Sequence, residues 1–210
     1  METGSRTYRN RMKRIKTLMG LAVVALSLLL PVRASAQRVG VKTNLLIDAT
    51  ASPNLGIEVG LARKLTLDVS GNVNYWSRAD KPQWKHWVVE PEFRYWTCQR
   101  FAGHFFGLHG LAGQFNFARI PNNFKFLGTD YSVLTNERHE GWAFGAGLGY
   151  GYALPLSKHW NMEFELGAGA IYSISNGYNC DGGCPIEGAQ DVRKLRPAIT
   201  KAAFSIVYLF

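Results

Sequence analysis

Cysteine is scarce in this 210-residue sequence: Cys98, Cys180 and Cys184 are all there is. That is too few for a fold built on disulfides. Charged side chains make up only 19% of residues, while hydrophobic ones make up 47%, which excludes a disordered or collagen-like polymer. Beyond residue 36 no unbroken apolar stretch reaches the roughly 18 residues of a helical membrane span, and no amphipathic helix of useful length appears. Neither Gly-x-Ser-x-Gly nor His-Glu-x-x-His occurs. The length suits one domain of ordinary size, or at most two small ones.

Basic residues are in excess, with 24 Lys and Arg against 15 Asp and Glu. A net charge of +9 would suggest nucleic acid or an anionic surface. Seven of the basic residues, however, are Arg6, Arg9, Arg11, Lys13, Arg14, Lys16 and Arg33, opposed only by Glu2. The remainder of the chain carries a net charge of about +3 once these are set aside. No nucleic-acid partner is expected.

Residues 1–36 read as an export signal. A cationic stretch over residues 9–16 precedes an apolar core from Leu18 to Pro31, and Ala34-Ser35-Ala36 fits a small-x-small cleavage pattern. The expectation is cleavage after Ala36, with translation starting at Met1 or Met12. Residues 37–210 would then form a single domain outside the cytoplasm. No cysteine stands at the cleavage position to carry a lipid anchor.

From residue 39 the hydrophobic pattern has a period of two, the signature of strands. Leu65, Leu67, Val69, Val73 and Tyr75 alternate with polar neighbours, as do Leu55, Ile57, Val59 and Leu61. Similar runs cover Val89–Tyr95, Trp142–Leu154, Met162–Ala170 and Phe204–Phe210. With Val39–Thr50 and a less regular segment over His104–Arg119, eight strands are expected. Breaks fall near 51–54, 63–64, 77–86, 98–103, 120–140, 157–160 and 176–196. Strands joined in sequence predict an antiparallel meander, and closing it removes exposed edges. The second, fourth and sixth connections are short, as they are on the periplasmic side of a membrane barrel. Only the first connection is short where it was free to be long.

Facing separates a membrane barrel from a soluble one. Glycines such as Gly145, Gly147, Gly149, Gly151, Gly167 and Gly169 crowd the polar parity. On a solvated surface they would have little purpose, whereas in a narrow lumen they leave room for charged neighbours. Trp87, Trp142 and Trp160 sit near strand ends, as in aromatic belts, while parity places Trp76 and Trp96 inward. The reading is an all-β, eight-stranded antiparallel up-and-down transmembrane β-barrel located in the outer membrane. Two alternatives stand beside it: a lipid-A-modifying barrel enzyme and a soluble periplasmic barrel that binds a hydrophobic ligand.

The segments Val41–Thr50, Pro53–Gly60, Trp84–Trp96 and Gly103–His109 resemble those of an uncharacterised Bacteroidetes-type envelope family, domain of unknown function 3575. The resemblance implies a small outer-membrane barrel, often encoded near fimbrial components, and a role in surface-fibre assembly or anchoring. It brings no catalytic residues.

The inward parity presents Lys42, Asp48, Glu58, Asp68, Glu90, Glu92, Arg94, Glu163, Glu165 and Lys201. The plainer reading is a charge network filling a small barrel, since eight strands enclose little more than side-chain volume. The sharper one is a narrow cation path or proton-sensitive plug. Cys180 and Cys184 lie four apart in a long loop, where a disulfide outside the cytoplasm is expected in preference to a metal site lacking histidine. Cys98 is expected as a small packing residue. The histidines read as packing or interfacial groups, so no catalytic residue, metal or cofactor is expected. Expected partners are outer-membrane lipid, the barrel-assembly machinery, and a surface protein or glycolipid at loops 120–140 and 176–196.

Overall fold

The computed structural model describes residues 39–76, 83–118, 125–126, 129–130, 137–179 and 190–210. The expected export segment with cleavage after Ala36, and the pair Cys180 and Cys184, lie outside the described residues. Eight strands form one closed antiparallel barrel: β1 (Val39–Asn44), β2 (Asn54–Gly60), β3 (Leu65–Asn74), β4 (Gln83–Trp96), β5 (Gly103–Ala118), β8 (Glu137–Pro155), β9 (Trp160–Asn179) and β10 (Gln190–Leu209). Each pairs with its chain neighbours, and β1 closes the ring on β10 through Gly40–Asn44 against Leu209–Ser205. Between β5 and β8 a small hairpin pairs β6 (Lys125–Phe126) with β7 (Thr129–Asp130).

The first strand is shorter than its apolar pattern predicts. It ends at Asn44, after six residues, and α1 (Leu45–Asp48) follows. The run Leu45-Leu46-Ile47 would suit a strand, but Asn44 redirects it. Its side chain accepts from Leu46 N at 3.1 Å, capping the turn. The same Oδ1 accepts from Phe204 N at 3.2 Å, while Nδ2 donates to Ala202 O at 3.0 Å, imitating one more rung of the β1–β10 ladder. The first connection is therefore a nine-residue structured loop, 45–53, and is not an exception among the long ones.

All three tight turns gather at one end with Val39 and Phe210: 61–64, 97–102 and 156–159. An apolar plug of Trp96, Phe101, Phe105, Ala153, Val207 and Leu209 closes that end, each 4% exposed or less. Burial at roughly 1.5–3 kcal/mol per large side chain makes it a principal anchor. The turn feeding it is held in an unusual backbone, with Phe101 at φ 63° and Gly103 at φ 79°. Asn161 Nδ2 donates to Phe101 O at 2.5 Å and fixes it there. Cys98 is on the surface of this turn, exposed and not packed as the sequence suggested, because the chain turns outward between Trp96 and Phe101.

Of the irregular segment 104–119, residues 104–118 form one strand in unbroken register, and Arg119 lies outside the described residues. Phe106 and Leu108 point outward and Phe105, Gly107 and His109 inward, and Phe115 and Phe117 continue the inward parity higher up. No bulge occurs there. The bulge is in β10, where Ile199 and Lys201 pair with the adjacent Ala168 and Gly167, so Thr200 and Lys201 both turn inward.

Opposite the tight turns the wall is uneven. β8, β9 and β10 run 19, 20 and 20 residues, against seven and ten for β2 and β3. The segments 137–140, 176–179 and 190–196, expected as loop, are paired strand. Arg138, Arg193, Lys194 and Arg196 therefore stand on a raised sheet. Where β3 ends and its neighbours continue, Tyr75, Trp87, Gln114, Phe115, Glu140 and Trp142 line an open cavity of about 470 Å³.

Candidate functional site

Facing is the inverse of a soluble protein's. Outside, Leu55 (58%), Phe93 (57%), Leu108 (58%), Leu148 (70%) and Leu166 (62%) are widely exposed. Inside, Lys42, Glu58, Asp68, Glu92, Arg94, Glu163, Glu165 and Lys201 are all buried. Alternation places them there: β1, β2, β3, β4, β9 and β10 each contribute side chains at one level of the lumen, and β8 contributes glycines.

Arg94 is the hub. Its Nε donates to Glu92 at 2.8 Å, Nη1 to Glu58 at 2.8 Å and Glu163 at 2.9 Å, and Nη2 to Glu165 at 2.7 Å. Below it, Cζ lies 4.4 Å from the centre of the Phe105 ring, so the guanidinium rests on the apolar plug. Two lysines flank the hub. Lys42 Nζ reaches Glu58 at 2.7 Å, Asp68 at 3.2 Å and Glu163 at 3.3 Å. Lys201 Nζ reaches Glu92 at 2.5 Å, Glu165 at 3.5 Å and Asp68 at 3.9 Å. Thr66 joins the network to the plug: it donates to Glu58 at 2.5 Å and accepts from Trp96 Nε1 at 2.9 Å. A family model described as "Protein of unknown function (DUF3575)" matches residues 22–210.

The chain belongs to this DUF3575 family. No curated protein matches it.

Two residues expected in the network lie apart from it in this DUF3575 member. Asp48, carried off by α1, accepts from Thr43 Oγ1 at 2.7 Å and Asn54 Nδ2 at 2.9 Å, half-buried at the barrel mouth. Glu90 is half-buried one step above Glu92, beside a small cavity of about 30 Å³ roofed by Ile47 of α1. That space suits about one water, not an organic ligand.

His109 and Thr200 also enter the lumen, beyond the charges expected there. His109, 2% exposed, places Nε2 2.7 Å from Thr200 Oγ1, itself 6% exposed. The signal for His109 was its shared parity with Gly107, which the ambiguous aromatics of β5 obscured. Thr200 is hidden from parity by the bulge. Among the described residues one group brings three metal-type ligand atoms within 4.8 Å of one another: Glu92, His109 and Glu165, all buried.

The interior carries its room in glycines. A Cβ on Gly107 would collide with the Glu92 carboxylate, and one on Gly149 would lie 2.8 Å from Glu165 Oε1. Gly147 and Gly167 do the same for the His109 ring.

Proposed function

We propose that this chain is a non-enzymatic integral outer-membrane barrel whose raised, long-loop end binds a surface protein or glycolipid, in an envelope-structural role that extends to fimbrial assembly. The observation that carries this reading is the inversion of faces: a continuous apolar belt outside and a buried charge network inside. In water the belt would cost on the order of 25 cal/mol per Å² of apolar surface left wet. In a bilayer it is the solvated face.

Aromatic side chains support the same reading. On β8, Trp142 and Tyr152 bracket the outward apolar run, and they are joined by Trp87 at one level and by Trp160, Tyr208 and Phe210 at the other. The ten-residue interval from Trp142 to Tyr152, on a strand tilted by about 40°, spans about 25 Å, the height of a barrel's apolar band. No helix among the described residues is long and apolar enough to cross a membrane, so the crossing falls to the strands. On this reading the tight turns lie in the periplasm and the raised sheet of β8, β9 and β10 stands outside the cell. Its basic residues and the adjoining open cavity, with Tyr75, Trp87 and Trp142 among its lining, supply cationic and aromatic contacts for a partner. Outer-membrane lipid and the barrel-assembly machinery are the partners that insertion itself requires.

The test is electrophoresis of membrane fractions in mild detergent with and without boiling. A boiling-dependent mobility shift in the outer-membrane fraction is the expected result. Recovery as a soluble periplasmic species without a shift would overturn the membrane reading.

A further inference from the structure

The buried charges do not balance. Five carboxylates, those of Glu58, Asp68, Glu92, Glu163 and Glu165, share the lumen with three permanent cations, Lys42, Arg94 and Lys201. With all five ionised, two negative charges remain over, in surroundings where an uncompensated charge is expensive.

Where the missing charge belongs is marked by atoms without partners. Glu92 and Glu165 each direct one oxygen, Oε2, at Arg94 and Lys201. Their Oε1 atoms are buried and make no hydrogen bond, as is true of Asp68 Oδ1 and Glu163 Oε1, but only here does an unpartnered lumen nitrogen, His109 Nδ1, join them. These side chains meet at one place: His109 Nδ1 is 4.0 Å from Glu92 Oε1, and ligand atoms of all three residues fall within 4.8 Å. The other imidazole nitrogen is occupied by Thr200 at 2.7 Å. That is the arrangement in which an outer partner orients a ligating histidine. Gly107, Gly147, Gly149 and Gly167, from three strands, keep the surrounding space free of side chains.

We propose that Glu92, His109 and Glu165 bind one divalent transition-metal cation of the zinc type inside the barrel. A 2+ charge neutralises the lumen. One imidazole and two carboxylates suit zinc and its first-row neighbours better than calcium or magnesium, which favour all-oxygen shells of six or more. Tetrahedral bonds of about 2.0–2.1 Å put ligand atoms roughly 3.4 Å apart, so the separations between the three side chains need only shrink by about 0.6–1.4 Å. A water completes the shell, drawn from the 30 Å³ cavity that Glu165 also lines. All three ligands are buried, so the cation enters during folding. It is a structural ion that completes the charge network, and its presence does not depend on where the barrel resides.

The test uses the full barrel without a polyhistidine tag, refolded from urea into detergent with one equivalent of Zn²⁺ and then desalted against chelator. Folding is verified by heat-dependent gel mobility, and zinc is counted by mass spectrometry. The expected result is about one zinc per folded barrel, falling at least tenfold in His109→Gln and unchanged in His104→Gln, which alters a histidine of the outer surface. Refolding with Co²⁺ should give the visible absorption of a nitrogen–oxygen site. If His109→Gln fails to fold, Thr200→Val serves in its place and should weaken zinc binding about 10–100-fold, because it removes only the outer partner of the imidazole. Folded wild-type barrel that retains no zinc, equal zinc in the His109 or Thr200 variants, or retention of Mg²⁺ or Ca²⁺ in preference would each overturn the proposal. Those outcomes leave the membrane reading untouched, since it is decided by fractionation.

Discussion

Replacing Arg94 with methionine tests whether the lumen network holds the barrel together. The guanidinium makes four charge-assisted bonds of 2.7–2.9 Å. At about 1.5–3 kcal/mol each, a naive sum would approach 6–12 kcal/mol. The geometry argues for less. Lys42 also contacts Glu58 and Glu163, and Lys201 also contacts Glu92 and Glu165, so every carboxylate on Arg94 keeps a second cation. The loss should therefore match the breaking of one buried pair, about 3–5 kcal/mol. Urea titration of tryptophan fluorescence, with the barrel in detergent micelles, would measure it. Adding Glu58→Gln and Glu163→Gln to Arg94→Met neutralises the two carboxylates that Nη1 bonded, leaves Glu92 and Glu165 intact, and should restore about half the loss. An Arg94→Met barrel within about 1 kcal/mol of wild type, or a triple variant no better than the single one, would refute this account of the network.

Leu148→Arg puts a charge on the most exposed part of the apolar belt and should cost about 2–4 kcal/mol in lipid vesicles, read by the same titration; an unchanged midpoint would argue against burial in lipid. Gly147→Ala presses a methyl group against Thr200, His109 and the Ala168 carbonyl, and should destabilise by about 1–3 kcal/mol. Thr66→Val leaves Trp96 Nε1 and Glu58 Oε1 without their shared hydroxyl, an expected cost of about 1–3 kcal/mol, whereas Thr66→Ser should nearly preserve stability. In a Cys180→Ser, Cys184→Ser background, Cys98 in its tight turn should resist a membrane-impermeant maleimide on intact cells and react once the outer membrane is permeabilised. Adding Leu195→Cys, 70% exposed on the raised sheet, should give labelling on intact cells.

The strand count and the facing of most strands were legible because a barrel wall has a strict period of two, and the glycine-rich parity identified the crowded side. Legibility failed where that period was interrupted or lost its meaning. Asn44 ends β1 through side-chain hydrogen bonds that no hydropathy pattern records. The Thr200 bulge shifts parity by one, hiding a lumen residue. Above the apolar band both faces of β8, β9 and β10 are wet, so Val192, Lys194 and Arg196 alternate with nothing that distinguishes them from loop. Eight of the ten residues read as lumen charges do meet there. Asp48 and Glu90 do not, since one left the strand in a helical turn and the other lies a layer higher. The convergence of Glu92, His109 and Glu165 sets a directly paired couple on β4 and β5 against β9, which pairs with neither, and no local spacing could have announced it.

The two joints that the short first strand makes, to β2 and to β10, are the slightest in the wall. Four residue pairs hold β1 to β2 and five hold it to β10, against eighteen between β9 and β10. Those five link positions more than 160 residues apart, whereas every other joint forms between chain neighbours. A contact of such sequence separation carries the largest loop-closure penalty in the molecule and should form last. The barrel would then assemble as a curled ribbon of hairpins that zips shut, with Asn44 acting as the clasp beyond the final rung. Thermal opening should begin at the same place in reverse, making amide exchange at Val41–Thr43 the earliest sign that the ribbon is coming undone.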